Sequence, residues 1–382
     1  MKINQTLSTK RHSRRDFIKQ LSAGAASLAL SSPLIGSSLL IGSSLLNKKT
    51  KSDKKMGIAL VGLGYYSRDL LAPALQETKE CYLAGIVTGT PSKEETWSGK
   101  YNIPQKNIYN YENFDEIADN DDIDIIYIVL PNFLHAEYTI RAAKAGKHVI
   151  CEKPMALNAR ECEEMIKACE NNKVGLSLGY RMQFERTTQE IIRLGRDEVY
   201  GKVKLINGAA GFRMNRGGAW RTIKAMGGGP MEDIGIYALQ AARLVTGEEP
   251  LSVTAQAYNS RPEIFKEVPE SVSFQLLFPG GTIASLAGSF GIFTTDLFVT
   301  AEDGWFNLQP FWTYTGIKGT TPDGPLSFPE RNQQAVQMDE MAVSFRDGKP
   351  LRVTGIEGLK DVKIIKAVEE SISGGGKQVR II

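Results

Sequence analysis

The chain has 382 residues, 42% of them hydrophobic and 23% charged, which is enough for two domains with sizeable cores. Its formal net charge of +3 is unevenly spread. Met1 to Lys55 holds 11 of the 46 Lys and Arg but only two of the 43 acidic residues, which leaves 35 basic against 41 acidic side chains, near −6, in the remainder. Such a body lacks the basic footprint of a nucleic-acid-binding protein. Four cysteines without a C-x-x-C pair, and only His12, His135 and His148, supply neither a disulfide framework nor a metal site.

In chain order the first feature is Ser13-Arg14-Arg15-Asp16-Phe17-Ile18-Lys19, followed by an uncharged stretch, residues 20–47, rich in Ala, Ser, Leu and Gly. Paired arginines before a moderately apolar segment make a twin-arginine export signal. Residues 1–46 therefore read as an address and 47–55 as a basic linker, both outside the fold. Ile-Gly-Ser-Ser-Leu-Leu occurs at 35–40 and again at 41–46, lengthening the apolar run. An uncleaved anchor stays open, although the Ser and Gly content makes a poor one. The expected location is the periplasm or another exported compartment, with no membrane contact beyond the signal.

Residues 56–61 are uncharged, as a buried strand should be, and Gly62-Leu63-Gly64-Tyr65-Tyr66-Ser67 then opens a helix. Glycines permit the tight turn and bring backbone N–H groups to a pyrophosphate at a helix N-terminus; Ser67, still small, replaces the third glycine. A second strand spans 81–87. An NAD site carries Asp or Glu at the end of that strand, but here it reads Thr88-Gly89-Thr90-Pro91-Ser92-Lys93. The missing carboxylate removes repulsion against a 2′-phosphate, and Thr88 and Lys93 can donate to it, so NADP is expected over NAD. The alternative is that Lys93 decorates an exposed helix start.

Residues 123–130 form another apolar strand, ended by Pro131-Asn132. His135, in the next helix, lies either near the nicotinamide or in packing at the helix start. After Gly146 comes a strand over 147–151, ending in Glu152-Lys153-Pro154. Proline keeps Lys153 out of helical geometry, and a lysine at the carboxyl end of such a strand is where open α/β sheets bind ligands. A helix over 158–170 and a strand over 174–178 lead to Gly179-Tyr180-Arg181. After residue 201 alternating strands are expected, over 202–214, 251–258, 271–278, 282–289 and 297–301, with little helix. Between the first two, Gly227-Gly228-Gly229-Pro230 starts a helix on which Asp233 and Tyr237, spaced i,i+4, share a face. A helix over 357–373 closes the chain. The fold class is α/β: a dinucleotide-binding domain of the Rossmann type, 56–178, followed by an α+β domain, 179–382, with a large open, mostly antiparallel sheet. The last helix can pack back on the first domain. Such a sheet needs a covered outer face, so a homo-oligomer is expected.

From Lys55 onward the sequence resembles the Gfo/Idh/MocA family, most closely its glucose–fructose oxidoreductase branch, which is also exported by twin arginines. The residues that carry this are Gly62-Leu63-Gly64, Leu130-Pro131-Asn132, Leu134-His135-Ala136, Gly146-Lys147-His148, Cys151-Glu152-Lys153-Pro154-Met155, Gly179-Tyr180-Arg181, Trp220-Arg221, and Gly227 to Tyr237 running into Gly247-Glu248-Glu249-Pro250. Many members have His where this chain has Tyr237; Asp-Ile-Gly-Ile-Tyr is the version of the glucose–fructose and dihydrodiol or xylose dehydrogenase branch. A lysine-rich segment stands where glucose–fructose oxidoreductase has a proline-rich arm over the cofactor.

The resemblance implies a catalytic set of Lys153, Asp233 and Tyr237. Hydride transfer at a sugar carbinol needs a proton to leave or join the oxygen, and a tyrosine can carry it where a neighbouring cation favours its phenolate. Asp233 would orient Lys153 or a sugar hydroxyl. It implies cofactor contacts from Gly62, Leu63, Gly64, Tyr65, Tyr66, Ser67, Thr88, Lys93, Pro131, Asn132, His135, Glu152, Lys153, Arg181, Trp220 and Arg221. Tyr180, Asp233 and Tyr237 would face a sugar or polyol. As plain residues, Tyr237 can equally be a core tyrosine, Asp233 a helix cap, and Tyr180, Arg181, Trp220 and Arg221 ordinary packing. The rivals are a relative that oxidises a sugar transiently to drive elimination, whose kind tends to lack Lys153, and a sugar sensor on a dehydrogenase fold, which would have eroded the three reactive side chains.

Overall fold

The computed structural model describes residues 54–381; the twin-arginine segment and the linker up to residue 53 lie outside the described residues. The first sheet has six parallel strands in the order β3-β2-β1-β4-β5-β6. These are β1 Met56–Val61, β2 Cys81–Val87, β3 Ile108–Tyr109, β4 Ile125–Ile128, β5 His148–Cys151 and β6 Leu176–Leu178. Every residue of β1 and β4 is buried, as expected where helices cover both faces of a parallel sheet. The helix Ala159–Asn171 starts at a cap, Asn158 Oδ1 accepting from Glu161 N at 3.0 Å. The strand order reverses between β1 and β4, the switch point at whose carboxyl ends open parallel sheets bind their ligands. Gly62 and Glu152 follow directly on β1 and β5 at that edge, and Leu130 comes two residues after β4.

The second sheet has nine strands, β7 Val203–Gly211, β8 Ser252–Tyr258, β9 Ser271–Leu277, β10 Ile283–Ser289, β11 Thr294–Ala301, β12 Trp305–Leu308, β13 Gly319–Thr321, β14 Gly324–Leu326 and β15 Val379–Arg380, in the order β14-β13-β12-β11-β7-β10-β9-β8-β15. Only β7 with β10, Ile283–Ser289, pairs in parallel; the other pairs are antiparallel. Alternation decides the faces: in β9, Ser271–Leu277, the side chains of Val272, Phe274 and Leu276 are buried and their neighbours are not. The helix Ile236–Thr246 covers the inner face, with the Ala238 Cβ against Gly208 of β7.

The expectation of little helix after residue 201 fails at Gln333–Asp347. This helix also crosses the linear division at residue 179, because it packs against the first sheet. Asp339 accepts from Lys79 N and Glu80 N at 2.9 and 2.8 Å, Gln337 Nε2 donates to the Tyr127 hydroxyl at 3.0 Å, and Phe345 stacks on His148 at 4.6 Å. Its apolar periodicity is blurred because Gln333, Gln334 and Gln337 are buried beside Met338 and Met341. The helix Gly355–Ser373 spans the two sheets: Gly358 sits against Leu178 of β6, and Ser371 Oγ accepts from Ala255 N of β8, Ser252–Tyr258, at 2.8 Å. Among the described residues all four cysteines are free and buried, no group of side chains is arranged for a metal, and no helix is long and apolar enough to cross a membrane.

Candidate active site

At the β1 turn Gly62 has φ +90°, and a Cβ there would stand 2.5 Å from Val129 O, so only glycine fits. Nothing lies within 4 Å of a Cβ on Gly64, which leaves its backbone open to a ligand. Ser67 is fully buried and donates from Oγ to Gly62 O at 2.6 Å, bracing the turn from inside; Leu63 is buried, Tyr65 exposed. The helical start runs as a π-turn, Ser67–Leu71. Lys93 folds back over this turn and donates to Leu63 O at 2.9 Å, so it borders the glycine site rather than decorating a helix start. Thr88 is buried at the end of β2.

On the β4 side, Asn132 is buried and donates from Nδ2 to Gly227 O at 2.6 Å, fastening the crevice to the second domain's glycine run. Pro131 lies beside it in extended geometry. His135 is fully buried. Its Nδ1 is 2.9 Å from Pro154 O and its Nε2 2.7 Å from Leu130 O, so it ties the β4 and β5 turns together. That is the packing alternative, and no face of the ring is left for a nicotinamide. Burial lowers its proton affinity, against these backbone contacts. Glu152 accepts from the Tyr127 hydroxyl at 2.8 Å; burial pushes its carboxyl up to about 6, opposed by Lys153.

Lys153 reaches from β5 into the second domain, donating from Nζ to Asp233 O and lying 3.4 Å from Asp233 Oδ1. Arg221 Nε closes on the other carboxylate oxygen, Oδ2, at 2.6 Å. Asp233 is therefore no helix cap: it sits in the π-turn Met231–Gly235, and both its oxygens hold cations. Burial would raise its proton affinity, but Arg221 and Lys153 prevail and hold it below the usual carboxylate range. The Arg221 guanidinium lies 4.6 Å from the Trp220 ring, so both residues stand on the Asp233 side of the cleft, not at the glycine turn.

Tyr237 lies at the junction, its ring centroid 4.8 Å from Lys153 Nζ and 5.1 Å from Arg181 Cζ. Arg181 is 1% exposed, behind the rings of Tyr237 and Tyr314, and donates to Thr313 O, to Trp312 O and to Gln333 Oε1. It organises Tyr237 from below instead of touching a cofactor. Tyr180 donates to the fully buried Asp361 at 2.6 Å, beside Arg243, so it too is packing rather than pocket lining. The sequence reading missed the segment Phe311-Trp312-Thr313-Tyr314. Trp312 stands 6.2 Å from Tyr237, and Tyr314 stands 6.0 Å from Tyr66 of the glycine turn. The density of aromatic residues in this irregular stretch was the available signal; no periodicity marks it.

Comparison with known proteins agrees with this geometry. Residues 56–180 match the model of an oxidoreductase family with an NAD-binding Rossmann fold, and residues 188–306 match the GFO/IDH/MocA C-terminal domain. D-xylose 1-dehydrogenase [NADP(+)] of Haloarcula marismortui is 26% identical over 338 residues, covering 85% of this chain and 93% of its own length. Trans-1,2-dihydrobenzene-1,2-diol dehydrogenase of Xenopus tropicalis is 31% identical over 284 residues, 73% of this chain and 83% of its own. The crystal structure of aldose-aldose oxidoreductase from Caulobacter crescentus complexed with glycerol superposes with a TM-score of 0.83 at 38% identity, covering 86% of this chain and all of that one. With a nucleotide crevice in one domain, a Lys–Asp–Tyr cluster closed by the other, and both family models matched in order, the chain belongs to the Gfo/Idh/MocA oxidoreductase family.

Proposed function

We propose that the protein is an exported, NADP-dependent sugar oxidoreductase that transfers hydride between a sugar carbinol or carbonyl and nicotinamide. The observation that carries this reading is the position of Asp233, which holds Lys153 of the first domain and Arg221 of the second within one cluster beside Tyr237. The glycine turn supports a dinucleotide, since nothing crowds Gly64 where a pyrophosphate would lie, and Thr88 and Lys93, standing where an NAD site carries a carboxylate, support NADP. When bound, the cofactor supplies or accepts the hydride.

The protein's own groups handle the proton. Tyr237 gives it to, or takes it from, the sugar oxygen, and two cations, Lys153 and Arg181, stand against its ring. With both oxygens of its carboxylate occupied, Asp233 serves to fix Lys153 and Arg221. The NADP(+)-linked xylose dehydrogenase and the aldose-aldose oxidoreductase among the relatives support a sugar as substrate and NADP as cofactor.

Export adds a constraint, since a dehydrogenase outside the cytoplasm has no nicotinamide pool to draw on. The reading therefore includes retention of NADP(H) and its regeneration in place: one sugar is oxidised and released, and a second carbonyl is reduced in the same site. The test is to purify the protein from its export compartment, identify any nucleotide it releases, and follow turnover of sugar pairs without added cofactor. Ping-pong kinetics are expected. Turnover that requires added NADP(H) would reduce the enzyme to a plain sugar or diol dehydrogenase, and recovery from the cytoplasm alone would remove the export.

A further inference from the structure

At the end of the helix Ile236–Thr246 remote from Tyr237, a cavity of about 460 Å³ opens between that helix, the helix Arg186–Arg196 and the start of the helix Gly355–Ser373. Its size lies in the range of small-molecule sites. Tyr237 stands in the first turn of its helix and Arg243 and Leu244 in the last, roughly 10 Å apart along the axis. No residue of the Lys153–Asp233–Tyr237 cluster lines the cavity. Part of the lining is fixed by ion pairs. Arg243, 4% exposed, is gripped by Glu249 at 2.6 Å, by Glu357 at 3.1 Å and by the fully buried Asp361, and Lys360 lies 3.0 and 3.1 Å from the same two glutamates. Three other donor groups of the lining are not satisfied in this way. Gln183 is 6% exposed, and its Nε2 has no hydrogen-bond partner among the described residues. Arg196 donates only from Nε, to Leu244 O at 2.8 Å, and Arg352 holds Glu340 through Nε and Nη2, which leaves its Nη1. A buried amide donor without an acceptor marks a place where an acceptor is expected to arrive. No aromatic side chain lines the cavity, so a nucleobase would find no ring to stack on.

We propose that this cavity is a second ligand site, separate from the catalytic cluster, for a polyhydroxylated organic anion of about monosaccharide size, a sugar acid or a sugar phosphate. The spare donors are the reason for the anion. Two guanidinium groups and a buried amide can hold a carboxylate or a phosphate by charge-assisted hydrogen bonds. The helix Gly355–Ser373 also starts at this cavity, at Thr354, whose side chain makes no cap, which adds the positive end of a helix. The two glutamates are the reason for the hydroxyls. Glu249 and Glu357 are held by Arg243 and Lys360 but keep lone pairs, which suit hydroxyl donors and repel a bare inorganic anion. Glu249, Arg196 and Arg352 are exposed, so such a ligand enters from solvent without the domains parting. An ion-pair seam joining three helices would account for Arg243 and Lys360. It leaves unexplained the orphaned Gln183 amide and the open fork of Arg196.

Calorimetric titration of the full chain with gluconate, glucose 6-phosphate, glucose and inorganic phosphate tests this. Gluconate or glucose 6-phosphate is expected to bind with a Kd on the order of 1 mM or tighter, and glucose and inorganic phosphate at least about tenfold more weakly. A preference between the first two tells a carboxylate from a phosphate, and either preference upholds the site. Arg196→Ala and Arg352→Ala, at exposed positions that folding does not depend on, should each weaken binding by about 10- to 100-fold, the loss of a charge-assisted hydrogen bond. Gln183→Leu removes the orphaned amide at similar volume and should weaken binding while Tm holds or rises. Four results overturn the site: no binding of gluconate or glucose 6-phosphate up to about 10 mM, glucose bound as tightly as they are, inorganic phosphate bound as tightly, or binding that Arg196→Ala and Arg352→Ala leave untouched. Because binding is what is read, the outcome holds whichever reaction the Tyr237 cluster catalyses.

Discussion

Single residues carry the chemistry, but the structure separates those whose replacement is informative from those that also hold the fold. Asp233 is of the second kind. It is 7% exposed and neutralises two cations, so removing it strands buried charge at a cost of about 3–5 kcal/mol, and lost activity would say little about catalysis. Tyr237 is of the first kind. Tyr237→Phe keeps the ring against Lys153 and Arg181 and deletes only the hydroxyl. Oxidation and reduction half-reactions should both fall by about 10²- to 10⁴-fold, with nucleotide binding nearly intact; single-turnover rates and a binding isotherm check this. A fall in only one direction would assign the proton to another group. Lys93 reports on the cofactor. Its ammonium already rests on Leu63 O beside the glycine turn, so Lys93→Ala should weaken NADP by about 1–3 kcal/mol while leaving NAD almost unchanged. Equal weakening of both would mean that it braces the turn instead.

At the scale of the element, the π-turn Met231–Gly235 carries Asp233 and, one residue earlier, sets the half-buried Glu232 toward Lys366 and Glu369 of the helix Gly355–Ser373. Burial pushes the Glu232 carboxyl up to about 8, and Glu369 on that helix, itself 2.8 Å from Lys366, pushes the same way. A carboxyl whose proton is held more tightly in the folded than in the unfolded state favours folding fully below the unfolded value. That contribution is lost as pH rises through the folded value. Glu232→Gln should therefore leave Tm unchanged near pH 4, gain on the parent progressively from about pH 4.5 upward, and keep a constant advantage above about pH 8, read by thermal melts across that range. A Tm difference independent of pH would mean that the carboxyl pair shares no proton.

For the whole molecule, part of the outer face of the second sheet is left open among the described residues. Leu205, Ile283 and Leu277 are neighbours in register across β7, β10 and β9, and each is more than a third exposed; Phe298 on β11 is 40% exposed. A patch of this kind on a broad sheet is the signature of an association surface. The protein should be a dimer or larger by light scattering at micromolar concentration, and Ile283→Glu, which sets a charge in the middle of the row, should shift it toward monomer. A monomeric parent protein would refute this.

The parallel half of the fold was legible because its signals are local. Apolar runs, Gly62 at the turn and Pro154 after Lys153 each act on the backbone within a few residues, so β1, β2, β4, β5 and β6 and the edge that gathers their turns follow from composition and chain order, whereas the two-residue β3 leaves no such signal. The choice of Lys153, Asp233 and Tyr237 came from motifs, and nothing in their spacing could show that Asp233 grips both Lys153 and Arg221. Contacts between residues 80 apart, such as Lys153 with Asp233, depend on how two domains close, and local pattern carries no record of that. The same limit hid the return of Gln333–Asp347 to the first sheet, where buried glutamines blur the helical period. It also hid the burial of His135, Tyr180 and Arg181, whose polar atoms find partners up to 181 residues away, as in Tyr180 with Asp361. The sequence by itself determined the longer strands of both sheets, the glycine turn and the types of residue available for proton transfer. Only the tertiary structure decided which of them face the cleft, because burial and partnership are set by packing between segments distant in the chain.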